Sequence, residues 1–239
     1  LEIDDAERLK NFIDSGGGIL VIGSGALDKA HQNTLVDIGA KYLGKSEFDK
    51  DYLVVKEDIG SGLVKSPFLC YEPALRVAPH PDTKVLATIR EPYFSRTYEK
   101  FTSHQNTPFK LVDADYPGVI QNGKVIFIAH ELDAIYYDYG ARLHRDLFAN
   151  ALGILNSRPM VETSLPSAGR ISLLHQPDEG RYVVHLLYGP PIRRGKCEVI
   201  EDLPTLFKVP VTLDLSKDIK SATLVPEMRM LPIEKVGRK

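Results

Sequence analysis

Residues 4 to 15 carry apolar side chains at a helical period: Ala6, Leu9, Phe12 and Ile13 share one stripe, and Gly16-Gly17-Gly18 stops the run. The continuous apolar stretch Ile19-Leu20-Val21-Ile22-Gly23 predicts a strand covered on both faces. Helical spacing resumes through Ala30, Leu35, Ile38 and Tyr42, which predicts a second helix over 26–42. Further apolar runs at 52–55, 84–89 and 124–129 add three strands, and Leu143, Leu147, Ala151 and Ile154 place a helix over about 140–155. Helices alternating with covered strands predict an open α/β sheet.

Beyond Asn156-Ser157-Arg158-Pro159 the period shortens to two. Strands are predicted at 170–175, 181–187, 209–215 and 221–225, with the first two joined as a hairpin by Gln176-Pro177-Asp178-Glu179-Gly180. Strand following strand without helices predicts a small antiparallel β-sandwich. The boundary therefore divides an α/β domain, 1–157, from a β domain, 158–239, and the junction is too short to act as a flexible tether. Because the first residue is Leu1, already inside a helical run, sequence upstream is expected; a final strand is expected beyond Lys239.

The chemistry-bearing motifs are incomplete. Gly16-Gly17-Gly18 precedes its strand, whereas a dinucleotide loop follows one, and Gly23-Ser24-Gly25-Ala26-Leu27-Asp28 lacks a third glycine and a P-loop lysine. These glycines read as turns. Cys70 has no flanking glycines to form a nucleophile elbow. His130-Glu131 lacks the second histidine of HExxH, since the next is His144, so no metal ligand set is expected. Glu91 and Glu131 lie near strand ends, but glycoside hydrolysis by paired carboxylates usually sits on a barrel of about 250 residues, which this chain cannot hold.

One segment differs in kind. Residues 91–109 follow a strand and concentrate Tyr93, Arg96, Tyr98, Phe101, Ser103, His104 and Gln105 without amphipathic order. Three readings stay open: aromatics packed on the sheet, a subunit or domain interface, and contact with a polyhydroxylated ligand. His130, Tyr136-Tyr137-Asp138-Tyr139 and Arg142 read as a second polar and aromatic surface able to receive a neighbour.

Composition narrows the partners. The chain has 239 residues with 43% apolar and 26% charged side chains and a formal net charge of −2, which leaves no basic footprint for nucleic acid or an anionic membrane. No apolar run approaches the roughly 18 residues needed to span a bilayer. Cys70 and Cys197 sit on opposite sides of the domain boundary and form no CxxC pair. The absence of Trp weakens a pure lectin reading, because only Tyr and Phe remain to stack on sugar rings.

Three stretches together carry a family resemblance: Gly16-Gly17-Gly18-Ile19-Leu20-Val21-Ile22-Gly23 after a helix, the loop Tyr93-Phe94-Ser95-Arg96-Thr97-Tyr98 with Ser103-His104-Gln105-Asn106-Thr107-Pro108, and Val125-Ile126-Phe127-Ile128-Ala129-His130. They resemble the middle region of glycoside hydrolases related to the β-galactosidases of glycoside hydrolase family 42. Leu165-Pro166-Ser167-Ala168-Gly169-Arg170-Ile171 and His185-Leu186-Leu187-Tyr188-Gly189-Pro190-Pro191 resemble the C-terminal module of the same proteins.

The resemblance implies a flavodoxin-like, class I glutamine-amidotransferase-like trimerisation domain followed by a C-terminal β domain. It implies no catalytic residue and no cofactor here, because the glutamates of such enzymes belong to an upstream barrel. It also implies that barrel as a partner, together with a homo-oligomer, a trimer in that family. The expected function is a non-catalytic oligomerisation portion of a carbohydrate-active hydrolase. The alternatives are an independent amidotransferase-like hydrolase using Cys70 or a serine, and a carbohydrate-binding module stacking sugars on Tyr93, Tyr98 and Phe101.

Overall fold

A computed structural model describes residues 1–235 and Gly237; the strand expected beyond Lys239 lies outside the described residues. The chain divides into two units, Leu1–Ser157 and Arg158–Lys239.

The first unit is built on β1 (Ile19–Ile22), β2 (Ala40–Lys45), β3 (Asp51–Val55), β4 (Phe68–Cys70), β5 (Leu75–Pro79), β6 (Lys84–Arg90), β7 (Pro117–Asn122) and β8 (Val125–Ile128). Three helices accompany them: α1 (Ile3–Asp14), α2 (Leu132–Tyr139) and α3 (Arg142–Leu155). Six strands form one sheet in the order β1-β8-β7-β6-β3-β4, while β2 and β5 pair separately. The sheet is mixed rather than an open parallel one. Only β1 and β8 run parallel, and every other pair in it is antiparallel.

A short connection explains the antiparallel pairing of β7 with β8, since a parallel neighbour needs a crossover of a dozen or more residues. The β7–β8 hairpin turns on Gly123-Lys124, where Gly123 takes φ +55° as a two-residue hairpin demands. Both strands are almost entirely buried, with Val119, Ile120, Ile126 and Ile128 inaccessible to solvent.

The helix expected over 26–42 is absent. Asp28 instead accepts the Gln32 amide at 2.9 Å and the Asn33 side-chain amide at 3.0 Å, and His31 takes φ +54°. Local side-chain bonding of this kind competes with helix formation, and it outweighs the apolar spacing here. Ile38 and Ala40 are still buried, but as the approach to β2. The helix expected over 140–155 is present as α3, separated from α2 by Gly140, whose left-handed φ of +61° caps the preceding helix.

The second unit contains only strands among its described residues: β9 (Val161–Thr163), β10 (Arg170–Gln176), β11 (Arg181–Leu187), β12 (Ile192–Arg194), β13 (Cys197–Val199), β14 (Val211–Leu213), β15 (Ala222–Leu224) and β16 (Arg229–Leu231). They form four two-stranded antiparallel sheets, and the hairpin expected across 176–180 is present as β10–β11, with Gln176 opposite Arg181. None of the described residues in this unit is fully buried. Large apolar side chains such as Leu187, Leu203 and Phe207 are 68%, 74% and 82% exposed.

Gly118 in β7 tests the packing of the first unit. A Cβ there would stand 2.2 Å from Leu53 Cδ1, and Leu53 has no exposed surface to move into. Gly118→Ala is expected to cost about 1–3 kcal/mol of stability by overpacking. In urea titrations the Gly118→Ala, Leu53→Ala double variant should lose less than the sum of the two single losses, because each change relieves the other. Strict additivity would show that the two residues do not meet.

Candidate functional site: an anchored aromatic arm and a buried Asp-His-Cys cluster

Between β6 and β7 the chain leaves the sheet and returns as an ordered arm. Its base is laddered: Lys110 N–H donates to the Glu91 carbonyl at 2.8 Å, Tyr93 N–H to the Pro108 carbonyl at 3.1 Å, and Pro92 bridges Phe109. Nearer the tip, Thr97 N–H donates to the Lys100 carbonyl at 2.8 Å, and Arg96 Nη1 donates to the Gln105 carbonyl at 2.6 Å.

Side chains from the start of β3 and the segment before it hold the arm down. Tyr52 OH donates to the Thr107 carbonyl at 2.7 Å, and the Tyr52 and Phe109 rings meet edge to face at 5.1 Å. The Asp49 amide donates to Ser95 Oγ at 3.2 Å.

Glu91 is the electrostatic pivot of the base. Its half-buried carboxylate receives Lys110 Nζ at 2.9 Å and Tyr116 OH at 3.1 Å, with Arg76 at 4.0 Å. Burial, together with the nearby Glu91 charge, pushes the Tyr116 hydroxyl well above its ordinary pKa, so it remains a donor. The Arg76 guanidinium lies 4.8 Å above the Tyr116 ring. Glu91 is thus committed to holding the arm.

The tip is presented to solvent. Tyr98 is 99% exposed and Phe101 72%, and Tyr93, Arg96, Ser103, His104 and Gln105 are exposed as well. The structure brings these seven candidates together on one arm. Arg142 lies elsewhere, at the start of α3, exposed and paired with Asp146 at 3.1 Å.

His130, expected with the surface residues, sits instead in the core with no exposed area. It follows β8, where Ala129 ties both to Gly118 and to Leu75 through backbone bonds of 2.8 Å. Its Nε2 meets Asp51 Oδ1 at 2.5 Å, and Asp51 Oδ2 accepts the Ala74 amide at 3.1 Å. Asp51 and Cys70 are cross-strand partners in the β3–β4 pair, which brings the thiol to the same place. All three residues are inaccessible to solvent, and their donor atoms lie within 4.8 Å of one another.

Charges in this cluster depend on each other. Burial alone would push the His130 imidazole down, but the Asp51 charge and then Cys70 outweigh it and hold its pKa well above the usual value. Burial raises the Cys70 thiol, against the opposing pull of His130. His144 donates from Nε2 to the Leu69 carbonyl at 3.1 Å, and burial lowers its pKa. The Nδ1 atoms of His130 and His144 have no hydrogen-bond partner among the described residues.

Sequence reasoning missed this cluster because 79 positions separate Asp51 from His130. The one signal was an acid at the head of an otherwise apolar run, Asp51-Tyr52-Leu53-Val54-Val55.

The glycine-rich turn after β1 is also accounted for. Ser24 N–H donates to Glu131 Oε1 at 2.8 Å, so an internal carboxylate takes the position that an anionic ligand would need. A Cβ on Gly23, at φ +47°, would stand 2.2 Å from the Glu131 carboxyl carbon.

Comparison with solved structures places this geometry in context. The chain is similar to part of the α-L-fucosidase isoenzyme 2 of Paenibacillus thiaminolyticus, with a TM-score of 0.88 and 28% identity over 97% of this chain and 35% of that one. It is loosely similar to a β-galactosidase from Rahnella sp. R3, with a TM-score of 0.46 and 13% identity over 70% of this chain and 23% of that one. No protein-family model matches the chain, and a search of curated proteins found no match. The fold is glycoside hydrolase-related, and the chain spans about a third of the fucosidase's length.

If Glu91 pins the arm, Glu91→Gln should loosen it without unfolding the sheet. Losing the charged acceptor opposite Lys110 is expected to cost about 1–3 kcal/mol locally. Hydrogen exchange at the Tyr93 and Lys110 amides should accelerate while that of β7 and β8 holds. Unchanged exchange at both amides would show that the base does not rely on Glu91.

Proposed function

We propose that this chain is a non-catalytic assembly and accessory portion of a glycoside hydrolase-related protein, and that its aromatic arm docks on a second copy of the chain. The observation carrying this reading is the arm itself, hydrogen-bonded at its base while Tyr98 and Phe101 are exposed at its tip. An ordered, solvent-exposed aromatic pair flanked by Arg96 and His104 has the composition of an interface anchor. A rigid arm also loses little conformational entropy on docking.

The first unit is then the assembly unit, and the second the C-terminal β module that follows it. Support comes from the fucosidase likeness over nearly the whole chain. The second unit adds to it, since a strand-only unit without a buried core gains stability by covering its apolar side chains on a neighbouring surface. The chemistry belongs to a barrel domain outside this chain, and α-L-fucosides are the substrate class that the likeness favours. Independent amidotransferase-like hydrolysis is disfavoured because Cys70 has no exposed surface from which to attack a substrate.

Sedimentation velocity at micromolar concentration tests the reading. The wild-type chain should sediment as an oligomer, and Tyr98→Ala with Phe101→Ala should shift it toward monomer by tenfold or more in dissociation constant, with the thermal midpoint of the monomer unchanged. Wild-type and variant that assemble alike would exclude the arm from the interface. The isolated chain should also release no nitrophenol from 4-nitrophenyl α-L-fucoside or β-D-galactoside, and turnover abolished by Cys70→Ala would instead establish the hydrolase reading.

A further inference from the structure

We propose that Asp51, Cys70 and His130 form a structural binding site for a divalent metal ion of the zinc class. Carboxylate, thiolate and imidazole are all zinc ligands, and the thiolate favours such an ion over magnesium or calcium. The three residues arrive from the head of β3, the end of β4 and the segment after β8, and their donor atoms already lie within 4.8 Å of one another.

Donors around one zinc ion stand about 3.2 to 3.7 Å apart, given bond lengths of about 2.0 to 2.3 Å. The widest separation in the cluster therefore has to shrink by about 1 Å, and the hydrogen bond between His130 Nε2 and Asp51 Oδ1, now 2.5 Å, has to open by a similar amount. Asp51 Oδ1, His130 Nε2 and Cys70 Sγ supply three of the four donors that zinc takes. The Ala74 amide on Oδ2 supplies the outer hydrogen bond that orients a ligating carboxylate.

Binding would displace the protons on His130 and Cys70, and the ion with the Asp51 carboxylate and the Cys70 thiolate would leave the site neutral. Complete burial also sets the role. A catalytic zinc keeps a position open to substrate, whereas this site is closed, so the ion would staple β3 and β4 to the segment after β8. Loading would occur during folding, since the folded chain exposes none of the three side chains.

Cobalt(II) is the probe. The full chain carrying Cys197→Ser, which removes the other, exposed cysteine, would be unfolded in guanidinium and refolded with one equivalent of cobalt. The proposal expects about one bound ion per chain, a thiolate-to-cobalt charge-transfer band in the near ultraviolet, and a thermal midpoint several degrees above that of protein refolded in EDTA. Adding Cys70→Ala should abolish the band. If that variant fails to fold, the parent decides alone: a refolded parent with no band and no metal-dependent shift overturns the proposal. So does a band that persists without Cys70.

Discussion

A carboxylate removed from water must find donors inside the protein, and Asp51 is the residue on which this constraint falls. The Ala74 amide and His130 answer it, while Cys70 lies opposite on the neighbouring strand. Four chain segments thus converge on one buried charge. Leaving such a charge without its partner typically costs about 3–5 kcal/mol, more than most single apolar contacts contribute. The pairing of β3 with β4, the entry into β5 and the exit from β8 are therefore coupled, and the surrounding apolar side chains pack around a polar centre.

From that centre the arm follows. The residues that flank Asp51 on either side, Lys50 and Tyr52, both reach outward to it: Tyr52 to the Thr107 carbonyl and Lys50 to Asn106 Oδ1 at 3.4 Å. A shift at the head of β3 would thus be felt at the arm's base. Glu91, Lys110 and Tyr116 fix the other side, so the exposed aromatics are aimed by two independent anchors. Rigidity at the base with exposure at the tip distinguishes this segment from a loop that merely lies on its sheet.

Periodicity made several elements legible in advance. The strands at 19–22, 52–55, 84–89 and 125–128, the helices at each end of the first unit and the hairpin across 176–180 all carry strong period or turn signals. Composition marked residues 91–109 as a segment apart, with three readings open. Other elements were hidden for identifiable reasons. Asp28 and His31 convert an apolar period into turns; β4 has only three residues; β5 lacks a continuous apolar run, since Arg76 interrupts it; and the Gly123 hairpin hides β7 in the loop before β8. The open parallel sheet expected from helix-strand alternation gave way to a mixed sheet because β2 to β8 follow one another with no crossover α-helix between them. His130 looked like a surface residue because its partner lies 79 positions away.

The central claim is that the arm's exposed aromatics are covered when the protein assembles. Hydroxyl-radical footprinting read by mass spectrometry, across a dilution series that spans the assembly transition, addresses it most directly. The account predicts that Tyr98 and Phe101 react fast in dilute protein and become protected as assembly proceeds, while exposed Tyr137 on α2 serves as a reference on the same chain. Assembly that leaves the reactivity of Tyr98 and Phe101 unchanged would contradict it.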